Sequence, residues 1–168
     1  MSKRKTLFHG TDKKSKKQIT KHGIKLHVNR GNQDFGDGFY LTSNKGRAKA
    51  RGDGSVLAYE LNEQGLNIKM YRDISDEWEN EIFEQRVNGN DISKEYDVVV
   101  GPIADAKIGY LIELLARGEI TREDFRIAIT QGKISEEVQV AIKIKKAVEH
   151  LTRKEEDENF KIFGFARR

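Results

Sequence analysis

The stretch DFGDGFYLT at residues 34–42 constrains the fold more than any other part of the chain. Two glycines separated by one residue favour a turn, because glycine adopts positive φ angles without steric cost. The four residues that follow, FYLT, combine aromatic, aliphatic and β-branched side chains and are therefore predicted to form a strand. The fold must place a glycine-rich loop directly before this strand.

Three interpretations of this stretch can be compared. A dinucleotide-binding loop requires a third glycine where Leu41 stands and a helix afterwards, so this interpretation is discarded. In the second interpretation, the glycines form a plain turn and Tyr40 is a core residue of a buried strand. In the third, the glycines let the backbone come close to a flat ligand, and Tyr40 provides the stacking surface. The stretch alone leaves the second and third interpretations open.

Length and composition limit the class of protein. A chain of 168 residues is expected to form one domain, spanning residues 1–168. The absence of cysteine excludes disulfides, thiolate nucleophiles and cysteine-bound zinc. The four histidines, at positions 9, 22, 27 and 150, show no metal-ligand spacing, so no metal is expected. Without a long apolar run or a secretory signal, the chain is expected to act in the cytoplasm and not in a membrane.

Basic side chains are concentrated at the start of the chain. The sequence has 31 Lys and Arg against 27 Asp and Glu, a net charge of +4. Residues 1–21 alone carry eight basic side chains and one acid, Asp12. Such a segment attracts nucleic-acid phosphates in a salt-dependent way that is independent of base sequence. The alternative is a solvated helix face that serves solubility only.

Short strands and helices follow one another irregularly, which favours an α+β fold over a doubly wound sheet. Asp12 and Gly23 are predicted to cap a basic helix. In EVQVAIKI, residues 137–144, strict alternation places Val140 and Gln139 on opposite faces of a strand. Further strands are predicted at residues 5–9, 39–42, 55–61 and 96–101, helices at 75–86, 103–117 and from 121, and a helical turn at 47–51. The aromatic tail, within residues 153–168, is predicted to add a last strand or to pack over the sheet.

Two motifs carry a family resemblance. Leu7-Phe8-His9-Gly10-Thr11 is followed, 24 residues later, by Phe35-Gly36-Asp37-Gly38-Phe39-Tyr40-Leu41. Together they resemble the ADP-ribosyltransferase superfamily, in particular its diphtheria-toxin and poly-ADP-ribose polymerase branch. The resemblance implies an ADP-ribosyltransferase-like split β-sheet core with flanking short helices.

The resemblance extends to an uncharacterised bacterial family with the same fold. That family's pattern is DFGxGFYLT, a Trp-containing helix that ends in Arg, YDxVxGPxAD, and a late Gln on a strand. The corresponding pieces here are residues 34–42, Trp78 to Arg86, residues 96–105 and Gln139. Because the pieces occur in order between about residue 5 and about residue 152, the match is more specific than any single motif.

The resemblance implies a role for each matching residue in binding NAD, the substrate of these enzymes. His9 corresponds to the histidine that hydrogen-bonds the ribose, and Gly10 to the residue whose backbone holds the nicotinamide carboxamide. Thr11 stands where the family has a small hydroxyl residue, and Tyr40 corresponds to the tyrosine that stacks on nicotinamide. A single histidine at a strand end is more often a structural hydrogen-bond partner; His9 is a candidate because the other three residues accompany it.

The chain departs from the superfamily at the position of its late catalytic glutamate. Gln139 stands there and can hydrogen-bond a ribose hydroxyl, but it supplies no negative charge and cannot act as a base. Glu137, on the same strand face, and Asp105, in the GPxAD motif, are the candidate substitutes. The alternative for either acid is an ordinary surface charge.

A second departure concerns the far wall of the nicotinamide pocket. Arg51 stands where polymerase-like members of the superfamily have another aromatic residue. The pocket is therefore expected to be half open, or closed by Phe39 or Trp78. Arg47 and Arg51 are candidates to bind the pyrophosphate of NAD or an acceptor phosphate, with surface solvation as the alternative.

Two functions from different classes are consistent with these residues. The resemblance implies an NAD-dependent mono-ADP-ribosyltransferase, a glycosyltransferase of toxin or phage-defence type that modifies a cellular macromolecule. The basic residues 1–21 favour RNA or DNA over protein as the acceptor, and a toxin of this kind could have a neutralising antitoxin. The alternative is an inactive module that binds NAD, ADP-ribose or nucleic acid. Retention of His9, Gly10 and Tyr40 favours the enzyme, whereas Gln139 favours the module.

Overall fold

A computed structural model describes residues 4–27, 33–104, 106–130 and 137–155 of the chain. The strands are β1 (Thr6–Thr11), β2 (Phe39–Thr42), β3 (Ser55–Leu61), β4 (Ile68–Met70), β5 (Val98–Pro102), β6 (Val138–Ile142) and β7 (Leu151–Lys154). The helices are α1 (Lys13–His22), α2 (Lys45–Ala50), α3 (Asp76–Phe83), α4 (Ala106–Ala116), α5 (Arg122–Thr130) and α6 (Lys145–Glu149), and a π-helical turn, Glu84–Asn88, continues α3. The predicted α+β class is confirmed.

The strands form one mixed sheet in the order β4-β5-β6-β2-β1-β3-β7, in which β4 and β5 are parallel and the other neighbours antiparallel. β1 pairs with β3 over six residue pairs, whereas a single pair, Phe8 with Thr42, joins β1 to β2. The remaining lengths of β1 and β2 are not paired with each other. The sheet is therefore weakly joined at its middle, between β2 and β1.

Apolar clusters cover both faces of the sheet. The first cluster includes Leu41, Val140 and Ile142 of the sheet, and α1 and α6 pack against it. The second includes Val99 and Ala141, and α3, α4 and α5 contribute to it. Because both faces are covered, polar residues of the central strands are buried and need hydrogen-bond partners.

Two such buried polar side chains are Gln139, within β6, and Lys143, directly after it. Gln139 and Lys143 are each 5% exposed and share a face of the strand with Ala141. Val140 and Ile142 lie in the cluster on the opposite face, so the predicted alternation is confirmed. Both polar side chains find their partners in the loop before β2 and in segments beside it.

The glycine-rich loop before β2 is buried and clamped to β6. Asp34 and Phe35 are 4% and 0% exposed. Gly36 has a φ of 76°, and a side chain at this position would overlap the carboxylate of Asp91. The Lys143 ammonium donates hydrogen bonds to the Phe35 carbonyl oxygen and, at 2.7 Å, to Asp91 Oδ2. These charge-assisted bonds hold the loop in place beneath the sheet.

Several predicted elements agree with the structure in detail. β3 spans the predicted residues 55–61. The Asp12 carboxylate caps α1 by accepting from the Ser15 N–H at 2.8 Å, and Gly23 follows the helix with a φ of 82°. The predicted helix at 75–86 is α-helical only to Phe83 and continues as the π-helical turn.

The sequence pattern does not predict β4, α6 or β7. β4 has three residues and β7 exposes three of its four, so neither shows the alternation of a half-buried strand. Both lie at edges of the sheet. The expectation for the aromatic tail beyond Glu155 lies outside the described residues. Within the described ranges, no helix has the length and apolar character needed to cross a membrane.

Candidate functional site

A cavity of about 130 Å³ lies at the weak junction between β1 and β2. His9 and Gly10 of β1, Tyr40 of β2, Arg51 at the end of α2, and Gln139 of β6 all line it. Arg47 of α2 lines it as well, so the structure brings together six of the candidate site residues. We refer to this space as the β1–β2 cavity.

A larger cleft of about 610 Å³ adjoins this cavity. It shares His9, Gly10 and Arg51 with the β1–β2 cavity and is also lined by Thr11 and Phe39. Its other walls include α1. Two further candidates therefore lie beside the cavity but not in it.

His9 is held as a neutral imidazole. Its Nδ1 lies 2.8 Å from the carbonyl oxygen of Tyr40, which can only accept, so Nδ1 carries the proton and donates. The ring stacks on Phe39 with centroids 4.1 Å apart. Burial lowers the pKa of His9 below its usual value; the Tyr40 hydrogen bond opposes this shift, and the charge of Arg51 adds to it. Nε2 of the neutral ring is therefore a hydrogen-bond acceptor, as a ribose hydroxyl donor requires.

Tyr40 lines the cavity, and its hydroxyl group fixes the position of its ring. The hydroxyl donates to the Gly36 carbonyl oxygen at 2.6 Å and accepts from the Phe35 N–H at 3.0 Å. The ring also packs against the second apolar cluster. Burial raises the pKa of Tyr40 far above its usual range, so the phenol stays protonated. Tyr40 is a rigid wall of the cavity and not a proton acceptor, and it is a partly buried core residue at the same time.

Gly10 allows α2 to lie directly against β1. A Cβ atom at this position would overlap the carbonyl group of Ala48 in α2. This close approach places Arg47 and Arg51, at either side of Ala48, on the cavity wall. Glycine at position 10 therefore has a packing reason that is independent of any ligand.

The side-chain amide of Gln139, a lining residue of the cavity, has a defined orientation. Its Nε2 donates to Asp34 Oδ2 at 2.6 Å and to the Pro102 carbonyl oxygen at 3.2 Å. Both partners can only accept, which determines the orientation of the amide, and the two bonds use both of its N–H groups. Oε1 is then the polar atom that Gln139 can offer to a ligand.

Asp34 is the centre of the buried network behind Gln139. Its Oδ1 accepts from Arg86, and its Oδ2 accepts from Gln139 and, at 3.1 Å, from the Ala104 N–H. Arg86 lies in the π-helical turn, a distortion that is frequent at functional sites. Four motif pieces therefore meet at one carboxylate: the start of DFGDGFYLT, the arginine after the Trp-containing helix, GPIAD, and Gln139. The sequence analysis did not select Asp34 as a site residue. The available signal was an acid directly beside the aromatic residues of DFGDGFYLT, a position where burial is expected.

The two acids proposed as substitutes for a catalytic glutamate are placed differently. The Glu137 carboxylate accepts from the Asn44 amide and, at 2.5 Å, from Arg47 Nε, so it is engaged at the start of α2. Glu137 does not line the β1–β2 cavity. Asp105 lies outside the described residues. Among the residues that are described, no group of three or more His, Asp or Glu side chains could hold a metal ion.

Trp78 does not close the cavity, so that expectation is wrong. Its side chain is 0% exposed in the second apolar cluster, where its indole N–H donates to the Pro102 carbonyl oxygen at 3.1 Å. Phe39 lies in the first apolar cluster, on the opposite face. Gln33 and Ile103, which sequence reasoning did not select, complete the wall instead.

The fold and the cavity define an α+β protein with a polar site at the weak junction of its sheet. The chain matches, over residues 5–152, the model of the family described as "Protein of unknown function (DUF3990)" and belongs to that family. A search of curated proteins finds no match. The matched range contains every residue of the β1–β2 cavity and of the Asp34 network.

Proposed function

We propose that the protein is an NAD-dependent mono-ADP-ribosyltransferase that acts in the cytoplasm. The convergence of His9, Gly10, Tyr40 and Gln139 on one cavity carries this proposal. These are the positions to which the family resemblance assigns contacts with NAD. The single residue pair between β1 and β2 supports the split-sheet core that the resemblance implies.

Each lining residue has a distinct task in the proposed reaction. Tyr40 stacks on nicotinamide, the Gly10 backbone holds its carboxamide, and His9 and Gln139 accept hydrogen bonds from ribose hydroxyls. The bond between nicotinamide and ribose breaks, and its electron pair leaves with the nicotinamide nitrogen. A nucleophile of the macromolecular acceptor then attacks the ribose carbon and releases its proton to water. A rigid leaving-group site and acceptors beside the cationic sugar lower the barrier of this reaction.

RNA or DNA is the favoured acceptor. α1 carries five lysines and forms one wall of the cleft that adjoins the β1–β2 cavity. Lys14, Lys25 and Arg51 line that cleft against one acid, Asp12, which gives the cleft a net basic character. A strand of nucleic acid that follows these side chains would reach the cavity. Binding through phosphates predicts an affinity that falls steeply with rising salt concentration.

Transfer of label from NAD tests the proposed function. The purified protein is incubated with NAD labelled in its adenylate half and with separate protein, RNA and DNA fractions. We expect label in the RNA or DNA fraction, and its loss in Tyr40→Ala and Gln139→Ala. Arg117→Ala, at a side chain 61% exposed and outside the cavity, is the control. A wild-type protein that labels no fraction and releases no nicotinamide contradicts the proposal.

One observation favours the alternative, an inactive module that binds NAD or ADP-ribose. Within the described part of the chain, no carboxylate lines the β1–β2 cavity. Calorimetric titration separates the two functions, because the module would bind NAD without releasing nicotinamide. Binding that depends on Tyr40 but is followed by no turnover would identify the module.

A role as a toxin or phage-defence effector predicts an effect on growth. Expression of the wild-type chain is expected to slow growth, because the proposed modification acts on a cellular macromolecule. Tyr40→Ala, expressed to the same level, should relieve the effect. A neutralising antitoxin would be a natural partner of such a protein. Normal growth at high expression of the wild-type chain contradicts this role.

A further inference from the structure

The carboxylate of Asp34 accepts a hydrogen bond from Gln139, the residue of β6 whose side-chain amide belongs to the cavity lining. Asp34 is 4% exposed and does not line the cavity, whereas Gln139 does. The carboxylate receives three donors: Arg86 on one oxygen, and Gln139 Nε2 at 2.6 Å and the Ala104 N–H at 3.1 Å on the other. These donors come from three separate segments, so the position of the carboxylate is closely defined.

Stability alone explains this arrangement poorly. The fold removes the Asp34 carboxylate almost entirely from water and the Arg86 side chain, 22% exposed, in large part, and such a pair is often no better for stability than a well-packed apolar pair. A glutamine amide could also satisfy its N–H groups with backbone carbonyls, as it does with Pro102. Like the Pro102 carbonyl oxygen, the carboxylate can only accept, so both groups direct the nitrogen of Gln139 towards themselves and the oxygen away. What the carboxylate adds is a full negative charge, which makes its hydrogen bond to the amide the stronger of the two.

We propose that Asp34 is a positioning residue of the site, which orients the Gln139 amide with its oxygen towards the cavity and polarises that oxygen. An N–H donor that binds a carboxylate makes the carbonyl oxygen of the same amide a stronger acceptor. The negative charge that β6 lacks at its own cavity position is thus supplied by the loop before β2 and acts through Gln139. This inference rests on the proposed transferase function for its catalytic consequence, but not for the orientation of the amide.

Asp34→Asn is the first test, because asparagine keeps the shape and removes both the charge and the restriction to accepting. We expect kcat for nicotinamide release to fall about tenfold or more, with KM for NAD changed less than about threefold, since the acceptor matters most in the cationic transition state. Asp91→Asn is the matched control. Asp91 also binds a buried side chain, that of Lys143 directly after β6, but lies outside the β1–β2 cavity. It should cost stability and leave kcat unchanged.

The second test moves the negative charge from position 34 to position 139 by substitution. Gln139→Glu alone brings two carboxylates into contact and is expected to lower kcat and the melting temperature. In Asp34→Asn/Gln139→Glu a single carboxylate remains, now at position 139, and the asparagine amide can donate to it. We expect this double variant to be more active than either single variant. An Asp34→Asn protein with wild-type kcat, or a Gln139→Glu protein at least as active as the double variant, would overturn the proposal.

The orientation of the amide is measured without turnover by ¹⁵N NMR of glutamine side chains. The Gln139 resonances are assigned by their loss in Gln139→Ala. In the wild-type protein both N–H groups are bonded, so slow exchange with solvent is expected. Exchange should quicken and the resonances should shift in Asp34→Asn but not in Asp91→Asn. Unchanged Gln139 resonances in Asp34→Asn overturn the inference even if the protein is an active transferase, and shifted ones support it even if nicotinamide is never released.

Discussion

Gln139 of β6 and Lys143, the residue directly after β6, are equally buried, and both hold the loop before β2. The two contacts differ in whether they leave a polar atom for a ligand. Lys143 directs its charge at the Phe35 carbonyl oxygen and at Asp91, outside the β1–β2 cavity. Gln139 is neutral, donates to the charged Asp34, and lines the cavity, and its Oε1 is not used by either of these bonds. The Lys143 contact is a structural clamp. The Gln139 contact has the geometry of a ligand-binding group, and burial alone does not distinguish the two.

Among the variants considered, removal of Arg86 should destabilise the protein most, because Arg86 supports the Asp34 carboxylate to which Gln139 donates. Arg86→Met leaves the buried Asp34 carboxylate without its cationic partner. The free energy of unfolding should fall by about 3–5 kcal/mol, as for other buried pairs that lose one member. Urea denaturation measures this change. The control is Arg117→Ala, whose ion pairs with exposed partners at 3.7 and 3.9 Å should contribute less than about 0.5 kcal/mol. Equal losses in the two variants would contradict the central role of Asp34.

Replacement of Lys143 should lower stability by a smaller amount than removal of Arg86 and should leave ligand binding unchanged. Lys143→Met leaves the Phe35 carbonyl oxygen without its donor, while Asp91, 26% exposed at its side chain, regains partners from water. We expect a loss of about 2–3 kcal/mol in urea denaturation. The Kd for NAD, measured by calorimetry on the folded variant, should change less than about twofold. A folded Lys143→Met protein that no longer binds NAD would show that both contacts belong to the site.

Tyr40→Phe should separate a structural contact from ligand binding within one residue. Tyr40 hydrogen-bonds the loop before β2 and also lines the cavity. Loss of the hydroxyl removes a bond to the Gly36 carbonyl oxygen and one from the Phe35 N–H. Stability should fall by about 1–2 kcal/mol. The ring remains, so the Kd for NAD should stay within about threefold, whereas Tyr40→Ala should weaken it at least about tenfold. Equal NAD binding by both variants would exclude a stacking role for the ring.

The sequence predicts those parts of the molecule that depend on local pattern. Asp12 and Gly23 as caps of α1, the bounds of β3 and the alternation in β6 follow from turn chemistry and periodicity. The edge strands β4 and β7 do not follow, because an exposed strand of three or four residues needs no alternation. The same periodicity shows that Trp78 is buried but not that it lies away from the cavity.

The Asp34 network could not be predicted from the sequence, for a different reason. Each member stands in a recognisable motif, but Asp34, Arg86 and Gln139 come from segments far apart in the chain. No periodicity relates them. Only the fold, in which β6 passes behind the loop before β2, shows that a carboxylate and an amide at separate positions form one group. The candidate residues of the cavity follow from the family resemblance. Asp34 and Arg86, which lie behind Gln139, follow only from the fold.

The smallest expected effect concerns the pH dependence that His9 gives to the β1–β2 cavity. Its pKa is lowered by burial, so below the ordinary value of 6.5 the unfolded chain takes up a proton that the folded chain does not. Stability should therefore be unaffected above this value and should decrease as the pH falls from 6.5 through the lowered pKa. His9→Gln should lack this part of the slope in denaturation series, while the other three histidines cancel in the comparison. Protonation also converts Nε2 from an acceptor to a donor, so NAD affinity should weaken only as the pH falls through the lowered pKa of the folded protein, and in the wild type only. Parallel pH profiles for the two proteins would show that His9 neither resists protonation in the fold nor accepts from the ligand.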